Sequence, residues 1–228
     1  MDILTYTSDH DVFRTRLRDF LAREVTPYAD QWEKDRSVTR EIWHKMGRAG
    51  FLCMDVPPVY GGRGGDFRYA AILTEEMSRT GINGLAASLH SDIVVPYIMA
   101  FGSDAQKQRY LPGCVSGDIV TAIAMTEPDA GSDTAAATTT AVPEGDEYVI
   151  NGSKVMIGNG TVGSFLLVFC LTHPEERSKT ARHSIIIVET DRPGYKADRM
   201  EGKMGLRCSD TAAVYFNNVR VPKENLVG

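Results

Sequence analysis

The sequence changes character at residues 117–124, which read GDIVTAIA. Before this stretch, apolar residues recur at spacings of three and four, a pattern typical of amphipathic helices. After it, short runs rich in β-branched residues alternate with turn residues, as they do in strands. We therefore predict an α+β fold in which an all-α helical domain over residues 1–117 is followed by an all-β barrel or sandwich domain over residues 118–228.

Five segments before the change carry the helical pattern. The first spans Asp9 to Lys34, and Pro27 predicts a kink or restart within it because proline has no amide hydrogen to donate. The other four segments are Thr39–Ala49, Phe67–Arg79, Gly84–Phe101 and Asp104–Val115. Residues 56–65, VPPVYGGRGG, predict a loop between the second and third segments.

Six runs after the change carry the strand pattern: Ile119–Ala124, Ala136–Val142, Tyr148–Ile157, Phe165–Leu171, Ser184–Glu189 and Ala212–Phe216. Turn residues at Glu144–Asp146 and at Asn151-Gly152 predict antiparallel hairpins. No low-complexity linker separates the two halves. We therefore expect them to pack directly against each other, with a ligand site in the cleft between them.

Charge and cysteine spacing exclude several classes of protein. The formal net charge of −5 and the lack of a lysine or arginine run disfavour nucleic acid and anionic lipid as partners. The four cysteines are far apart, without a C-x-x-C pair, which disfavours a zinc site and a disulfide framework. No apolar run is long enough for a membrane span. We expect a soluble protein of a reducing compartment, either a bacterial cytoplasm or a mitochondrial matrix.

The first candidate site is the stretch 122–134, AIAMTEPDAGSDT, in which a buried strand runs into a loop dense in hydroxyl groups and acids. Thr126 and Ser132 can each donate a hydrogen bond to a ring atom of a ligand, and Gly131 permits close approach by a flat group. A calcium site at the three acids of this loop is a competing interpretation, although their spacing differs from that of the helix-flanked calcium loop. Residue chemistry leaves a structural turn and a ligand loop equally open.

The second candidate is the stretch 148–160, YVINGSKVMIGNG, which is typical of a hairpin whose second strand ends in a glycine-rich loop. The polarisable side chain of Met156 can pack on a flat ring, although a methionine in a strand is more often part of the core. His90, in the middle of a predicted helix, is predicted to be structural rather than a catalytic base. No acid–base pair, nucleophilic triad or metal site can be assigned from the residues alone.

An ordered set of motifs spans nearly the whole chain: YGG at 60–62, AMTEP at 124–128, GSD at 131–133, NGSK at 151–154 and KMG at 203–205. In this order the motifs resemble those of the acyl-CoA dehydrogenase family. The detail of residues 122–128 and 203–206 is most similar to the long-chain branch of that family.

The resemblance implies FAD as cofactor, a fatty acyl-CoA as substrate, and α,β-dehydrogenation within β-oxidation. It further implies transfer of electrons to an electron-transfer flavoprotein and assembly into a homotetramer. The expected cofactor-binding residues are Ile123, Ala124, Met125, Thr126, Gly131, Ser132, Met156, Ile157 and Gly158. Ser132 is also the expected contact to the acyl-CoA substrate.

Two departures from the family pattern qualify these expectations. Residues 156–158 read MIG where the family has an aromatic residue, isoleucine and then threonine or serine, so a ring and a hydroxyl group are missing. The family also continues past the position of Gly228 into a helical bundle that supplies the catalytic glutamate. We therefore expect the catalytic base to lie outside this chain. A non-catalytic module that binds acyl-CoA or flavin, and a flavin monooxygenase or oxidase of the same fold, are the alternative functions.

Overall fold

A computed structural model describes residues 5–82 and 84–228 of the chain. The helices in these residues are α1 (Ser8–Glu24), α2 (Ala29–Asp35), α3 (Arg40–Ala49), α4 (Phe67–Arg79), α5 (Val95–Phe101) and α6 (Asp104–Ser116). The strands are β1 (Thr121–Ala124), β2 (Thr140–Glu144), β3 (Glu147–Gly158), β4 (Phe165–Leu171), β5 (His183–Glu189), β6 (Tyr195–Arg199), β7 (Thr211–Pro222) and β8 (Leu226–Val227). The predicted order of a helical part followed by a strand-rich part is confirmed.

The ends of the helices follow local chemistry that the sequence makes visible. Pro27 lies in a 3-10 turn that separates α1 from α2, as its missing amide hydrogen predicted. At the start of α6, Ser103 and Gln106 exchange hydrogen bonds between side chain and backbone, which satisfies two amides that the helix itself cannot. Gly50 and Gly117 end α3 and α6 in the left-handed conformation, at φ values of 75° and 79°.

The predicted helix over Gly84–Phe101 is only partly correct. Residues 84–86 are not helical, and Leu89–Val94 form a π-helical turn that leads into α5. In this turn the Val95 amide donates to the carbonyl of His90, five residues back. Pro96 has no amide hydrogen, so one backbone hydrogen bond is missing here in any kind of helix. A π turn at this residue therefore sacrifices one hydrogen bond fewer than a π turn elsewhere in a helix would.

The strands form one open eight-stranded sheet in the order β6-β7-β3-β2-β4-β5-β8, with β1 paired in parallel to β4. The barrel alternative is therefore wrong. The outermost strands, β6 and β8, each pair with a single neighbour in the described part of the chain. The junction between β2 and β4 consists of one residue pair, Thr140 with Leu171.

The turn predicted at Asn151-Gly152 is also wrong, because β3 continues through both residues beside β7. The register between these strands shifts between Ile150 and Gly152, which is a β-bulge rather than a reversal of the chain. Gly152 has a φ of 146°, and a Cβ atom there would lie 2.5 Å from the Thr139 hydroxyl oxygen. The other predicted turn, around Gly145, does join β2 to β3 as a hairpin.

Strand β4 joins the helical part to the sheet because both of its faces are buried. Phe165 and Leu167 pack into the core that the helices form, whereas Leu166 and Val168 pack into the core within the sheet. This two-sided burial explains the continuous apolar run FLLVFCL at 165–171. At the other end of the sheet, the Gln106 amide group donates to the carbonyls of Glu224 and Leu226, at 2.7 and 2.8 Å. In the described residues, none of the helices has the length and apolar character needed to cross a membrane.

Candidate functional site

The loop that leaves β1 lies against the far end of β3. The Val155 amide donates to the Thr126 carbonyl at 2.9 Å, and the Asn159 amide group donates to the Thr121 carbonyl at 3.0 Å. These contacts bring the two halves of the predicted cofactor site, residues 123–126 and 156–158, to one corner of the sheet. We call this the β1–β3 corner.

Thr126 and Met156 are the two side chains of this corner that are free to meet a ligand. The Thr126 hydroxyl is half-buried and forms no hydrogen bond with any other described residue. Met156 is 63 % exposed and has a φ of 61°, a conformation that side chains other than glycine rarely adopt. It lies in a second β-bulge, where the register with β7 shifts between Lys154 and Ile157. The bulge turns the thioether out of the sheet, so Met156 is not part of the core.

The remaining predicted residues of the corner offer main-chain groups rather than side chains. Ala124 and Ile157 are buried in the core of the sheet, and Ile123 packs against the helical core. Gly158 faces the π turn, since a Cβ atom there would lie 2.8 Å from Cδ2 of Leu89. A glycine at this position therefore lets the π turn approach the corner closely.

Gly131 and Ser132 lie further along the same loop and are exposed. The preceding residues form a tight turn in which the backbones of Glu127 and Ala130 exchange hydrogen bonds of 2.8 and 3.3 Å. A Cβ atom on Gly131 would meet nothing within 4 Å, and the Ser132 hydroxyl forms no hydrogen bond within the described ranges. Both residues thus have room for a ligand.

A buried ion pair beneath the corner was not predicted from the sequence. The Lys154 ammonium group donates to Glu127 Oε1 at 2.9 Å and to the Met125 carbonyl at 3.0 Å. The carboxylate of Glu127 also accepts the backbone amides of Thr138 and Thr139, at 2.7 and 2.8 Å, and the Thr138 hydroxyl at 2.9 Å. Because these donors occupy both oxygens of Glu127, the calcium interpretation of this loop is not supported.

The hydrogen bonds of Glu127 determine its protonation state. Burial by itself would raise the pKa of this carboxyl, but the amides of Thr138 and Thr139 and the Lys154 ammonium group hold it at about 2. Burial lowers the pKa of Lys154, and the charge of Glu127 opposes that shift. A carboxylate with so low a pKa is ionised at neutral pH, and its charge favours the protonated form of Lys154.

His90 connects the π turn to β1 and has no opening toward the corner. It is fully buried, its Nδ1 lies 2.9 Å from the Thr121 hydroxyl, and its Nε2 lies 3.0 Å from the Cys114 carbonyl. Burial lowers the pKa of His90 to about 4, so the ring is neutral at physiological pH. A buried, neutral and hydrogen-bonded histidine agrees with the structural role predicted for it.

Asp92, two residues further along the π turn, has an unusual environment. Its Oδ2 atom is buried and has no hydrogen-bond partner among the described residues. Burial raises the pKa of this carboxyl to about 6; the Ser88 hydroxyl opposes this shift and the charge of Asp55 adds to it. The π turn therefore contains one carboxyl that titrates near neutral pH.

Comparison with known proteins adds a second line of observation. The family model for the acyl-CoA dehydrogenase N-terminal domain matches residues 7–118, and the model for the acyl-CoA dehydrogenase middle domain matches residues 122–219. The chain is 41 % identical over 223 residues to a long-chain specific acyl-CoA dehydrogenase, mitochondrial, from Sus scrofa, covering 98 % of this chain and 52 % of that protein.

Two solved structures extend the comparison. An acyl-CoA dehydrogenase from Geobacillus kaustophilus superposes with a TM-score of 0.95 at 43 % identity, covering 98 % of this chain and 59 % of the other. An acyl-CoA dehydrogenase from Bacillus anthracis, solved in complex with FAD, has a TM-score of 0.89 at 35 % identity and is covered over 38 % of its length, against 98 % of this chain. The chain therefore spans about half the length of the curated relatives it matches.

Proposed function

The chain belongs to the acyl-CoA dehydrogenase family, and on that premise we propose that the protein binds FAD and oxidises a fatty acyl-CoA between its α and β carbons. The observation that carries the proposal is the β1–β3 corner, where a free threonine hydroxyl lies beside an exposed methionine held outward by a bulge. The proposed electron acceptor is an electron-transfer flavoprotein, and the proposed assembly is a homotetramer. Both rest on the family resemblance, as does the proposed location in a bacterial cytoplasm or a mitochondrial matrix.

The residues of the corner fit a flat ring that carries polar edge atoms. The Thr126 hydroxyl can donate to one edge of the ring, and the main chain of residues 123–126 can donate and accept beside it. The exposed thioether of Met156 can pack against the ring face, because sulfur is polarisable and favours aromatic contacts. When bound, FAD supplies the hydride acceptor of the reaction, and the protein supplies orientation.

We propose that the exposed loop after the corner binds the acyl-CoA. Ser132 has a free hydroxyl that can donate to the substrate, and Gly131 leaves space within 4 Å for close approach. No catalytic base is proposed within this chain. The buried carboxylates Glu76, Glu127 and Asp210 are all ion-paired, so none of them is available to accept a substrate proton.

A second candidate function is a module that binds acyl-CoA or flavin without turnover. It is favoured by residues 156–158, where Met156 and Gly158 replace the ring and the hydroxyl group that the family pattern has. Methionine can cover a flavin but cannot stack on it, and glycine has no hydroxyl to donate. The two candidates share the binding site and differ in whether a bound flavin is reduced by substrate.

One titration separates them. The full-length protein is reconstituted with FAD and then mixed, without oxygen, with straight-chain acyl-CoAs of increasing length. We expect the visible absorbance of the bound flavin to bleach. We also expect the amount of enoyl-CoA formed to be proportional to the amount of protein. Binding of FAD and acyl-CoA without bleaching would favour the non-catalytic module. A protein that retains neither FAD nor an acyl-CoA would overturn both candidates.

A further inference from the structure

We propose that Lys154 is a positioning residue that sets the backbone conformation of residues 125–127, where the flavin edge would bind. The proposal rests on the proposed function and deepens it. Lys154 does not face the ligand side of the corner. Its side chain is 0 % exposed and lies below the loop, so it would act on a cofactor only through the residues that it holds.

The contacts of Lys154 lie on both sides of Thr126. Its ammonium group donates to the carbonyl of Met125 and to the carboxylate of Glu127, at 3.0 and 2.9 Å. The next residue of β3, Val155, donates its amide to the carbonyl of Thr126 at 2.9 Å. Three consecutive loop residues are thus bound by two consecutive residues of a strand, which leaves the Thr126 hydroxyl as the unbound group.

Glu127 carries this constraint to the far end of the loop. Its carboxylate accepts the backbone amides of Thr138 and Thr139 as well as the Lys154 ammonium group. The Glu127 carboxylate therefore closes the loop that contains Gly131 and Ser132, and Lys154 holds that carboxylate next to the Met125 carbonyl. Without the ammonium group, the Met125 carbonyl would lose its donor, and Glu127 would remain as a buried charge with fewer partners.

Lys154 also lies at the start of the bulge that exposes Met156. The register of β3 with β7 is regular up to Lys154 and resumes at Ile157, so the bulged residues are Val155 and Met156. Because the lysine side chain is fixed inward by three partners, counting the Phe169 ring at 5.8 Å, the strand enters the bulge in one orientation. The same residue therefore helps to place both free groups of the corner, Thr126 and Met156.

The helical part of the molecule contains a matched ion cluster that is remote from the corner. Glu76 of α4 is 2 % exposed and accepts Arg14 and Arg18 of α1 at 2.6 to 2.9 Å. Glu127 is 6 % exposed and has a similar number of donors. The change Glu76→Gln therefore perturbs a buried carboxylate of the same kind at a place where no flavin contact is proposed.

The test compares Lys154→Met and Glu127→Gln with Glu76→Gln in the full-length protein. For each variant we measure the free energy of unfolding in urea, the Kd for FAD by titration of the apoprotein, and the visible spectrum of the bound flavin. If loss of the ion pair leaves about a tenth of the molecules with a competent loop, the Kd for FAD rises about tenfold. We expect that rise and a shift of the flavin bands in Lys154→Met and Glu127→Gln, and neither effect in Glu76→Gln.

Several outcomes would overturn the positioning role while leaving the proposed function intact. One is FAD binding within twofold of wild type, with an unchanged spectrum, in Lys154→Met. A second such outcome is a loss of FAD affinity in Glu76→Gln equal to that in Lys154→Met. General destabilisation of the protein would then explain the weaker binding. If Lys154→Met does not fold, the comparison of the two Glu→Gln variants decides the question. If the wild-type protein itself takes up no FAD, the proposed function fails instead.

Discussion

Replacing Asp92 with asparagine should make the protein's stability respond differently to pH. The Asp92 carboxyl has a pKa raised from its ordinary 3.8 to about 6, mainly by burial in the π turn. The folded protein thus binds this proton more tightly than the unfolded chain does. The contribution of Asp92 to stability is therefore fully present below about pH 4 and is lost as the pH rises toward 6. Asparagine does not titrate, so the variant is spared this loss.

The size of the effect follows from the change in proton affinity. A tenfold change corresponds to about 1.4 kcal/mol, which sets an upper limit of about 3 kcal/mol for this carboxyl. About two thirds of that limit falls between about pH 4.5 and pH 7.5. Because Asp92 is only partly buried, screening by solvent reduces the effect expected within this pH range. We expect the free energy of unfolding of Asp92→Asn, relative to wild type, to increase by about 1–2 kcal/mol over this range.

The assay is urea unfolding of both proteins at several pH values, with the difference in free energy plotted against pH. A constant offset from the new amide group cancels in the slope, and so does the titration of His90, which both proteins contain. The reasoning about Asp92 would be refuted by a difference that is independent of pH, or by one that decreases as the pH rises.

Two further predictions concern backbone geometry and thiol chemistry. Gly152→Ala should lower the free energy of unfolding by about 2 kcal/mol or more, because its Cβ atom would lie 2.5 Å from Thr139 Oγ1. Gly145→Ala, at a φ of 61° with nothing within 4 Å, should cost only about 1 kcal/mol, and equal losses in urea unfolding would count against the bulge geometry. The four cysteine thiols are all buried, so Ellman's reagent should label none of them rapidly in the native protein and all four in urea. Rapid labelling of any native thiol would contradict the packing around it.

Patterns that depend on neighbouring residues predicted the structure well. The periodic apolar positions of α4 and the continuous apolar run of β4 match the observed bounds, Phe67–Arg79 and Phe165–Leu171. Such segments fold according to which face they bury, and that information is local. Hydroxyl groups and a glycine that follow a buried strand also marked residues 122–134 as a candidate ligand loop, and that role stays a prediction.

Features that depend on distant partners were missed or misread. Asn151-Gly152 has the composition of a tight turn, but β7 continues beside it and holds it in a bulge. No local pattern marks Lys154 as one half of an ion pair, because its partner Glu127 lies 27 residues earlier in another segment. The orientation of Met156 likewise depends on the register of β3 with β7. Tertiary pairing overrides local preference in each case, and no spacing rule in a single sequence encodes it.

We propose above that the β1–β3 corner holds a flavin between Thr126 and Met156. A crystal structure of the full-length protein, soaked or grown with FAD, tests it most directly. We expect the flavin ring at this corner, with a ring edge atom within hydrogen-bond distance of the Thr126 hydroxyl and the Met156 sulfur against the ring. A flavin bound elsewhere on the molecule, with Thr126 and Met156 still facing solvent, would contradict it.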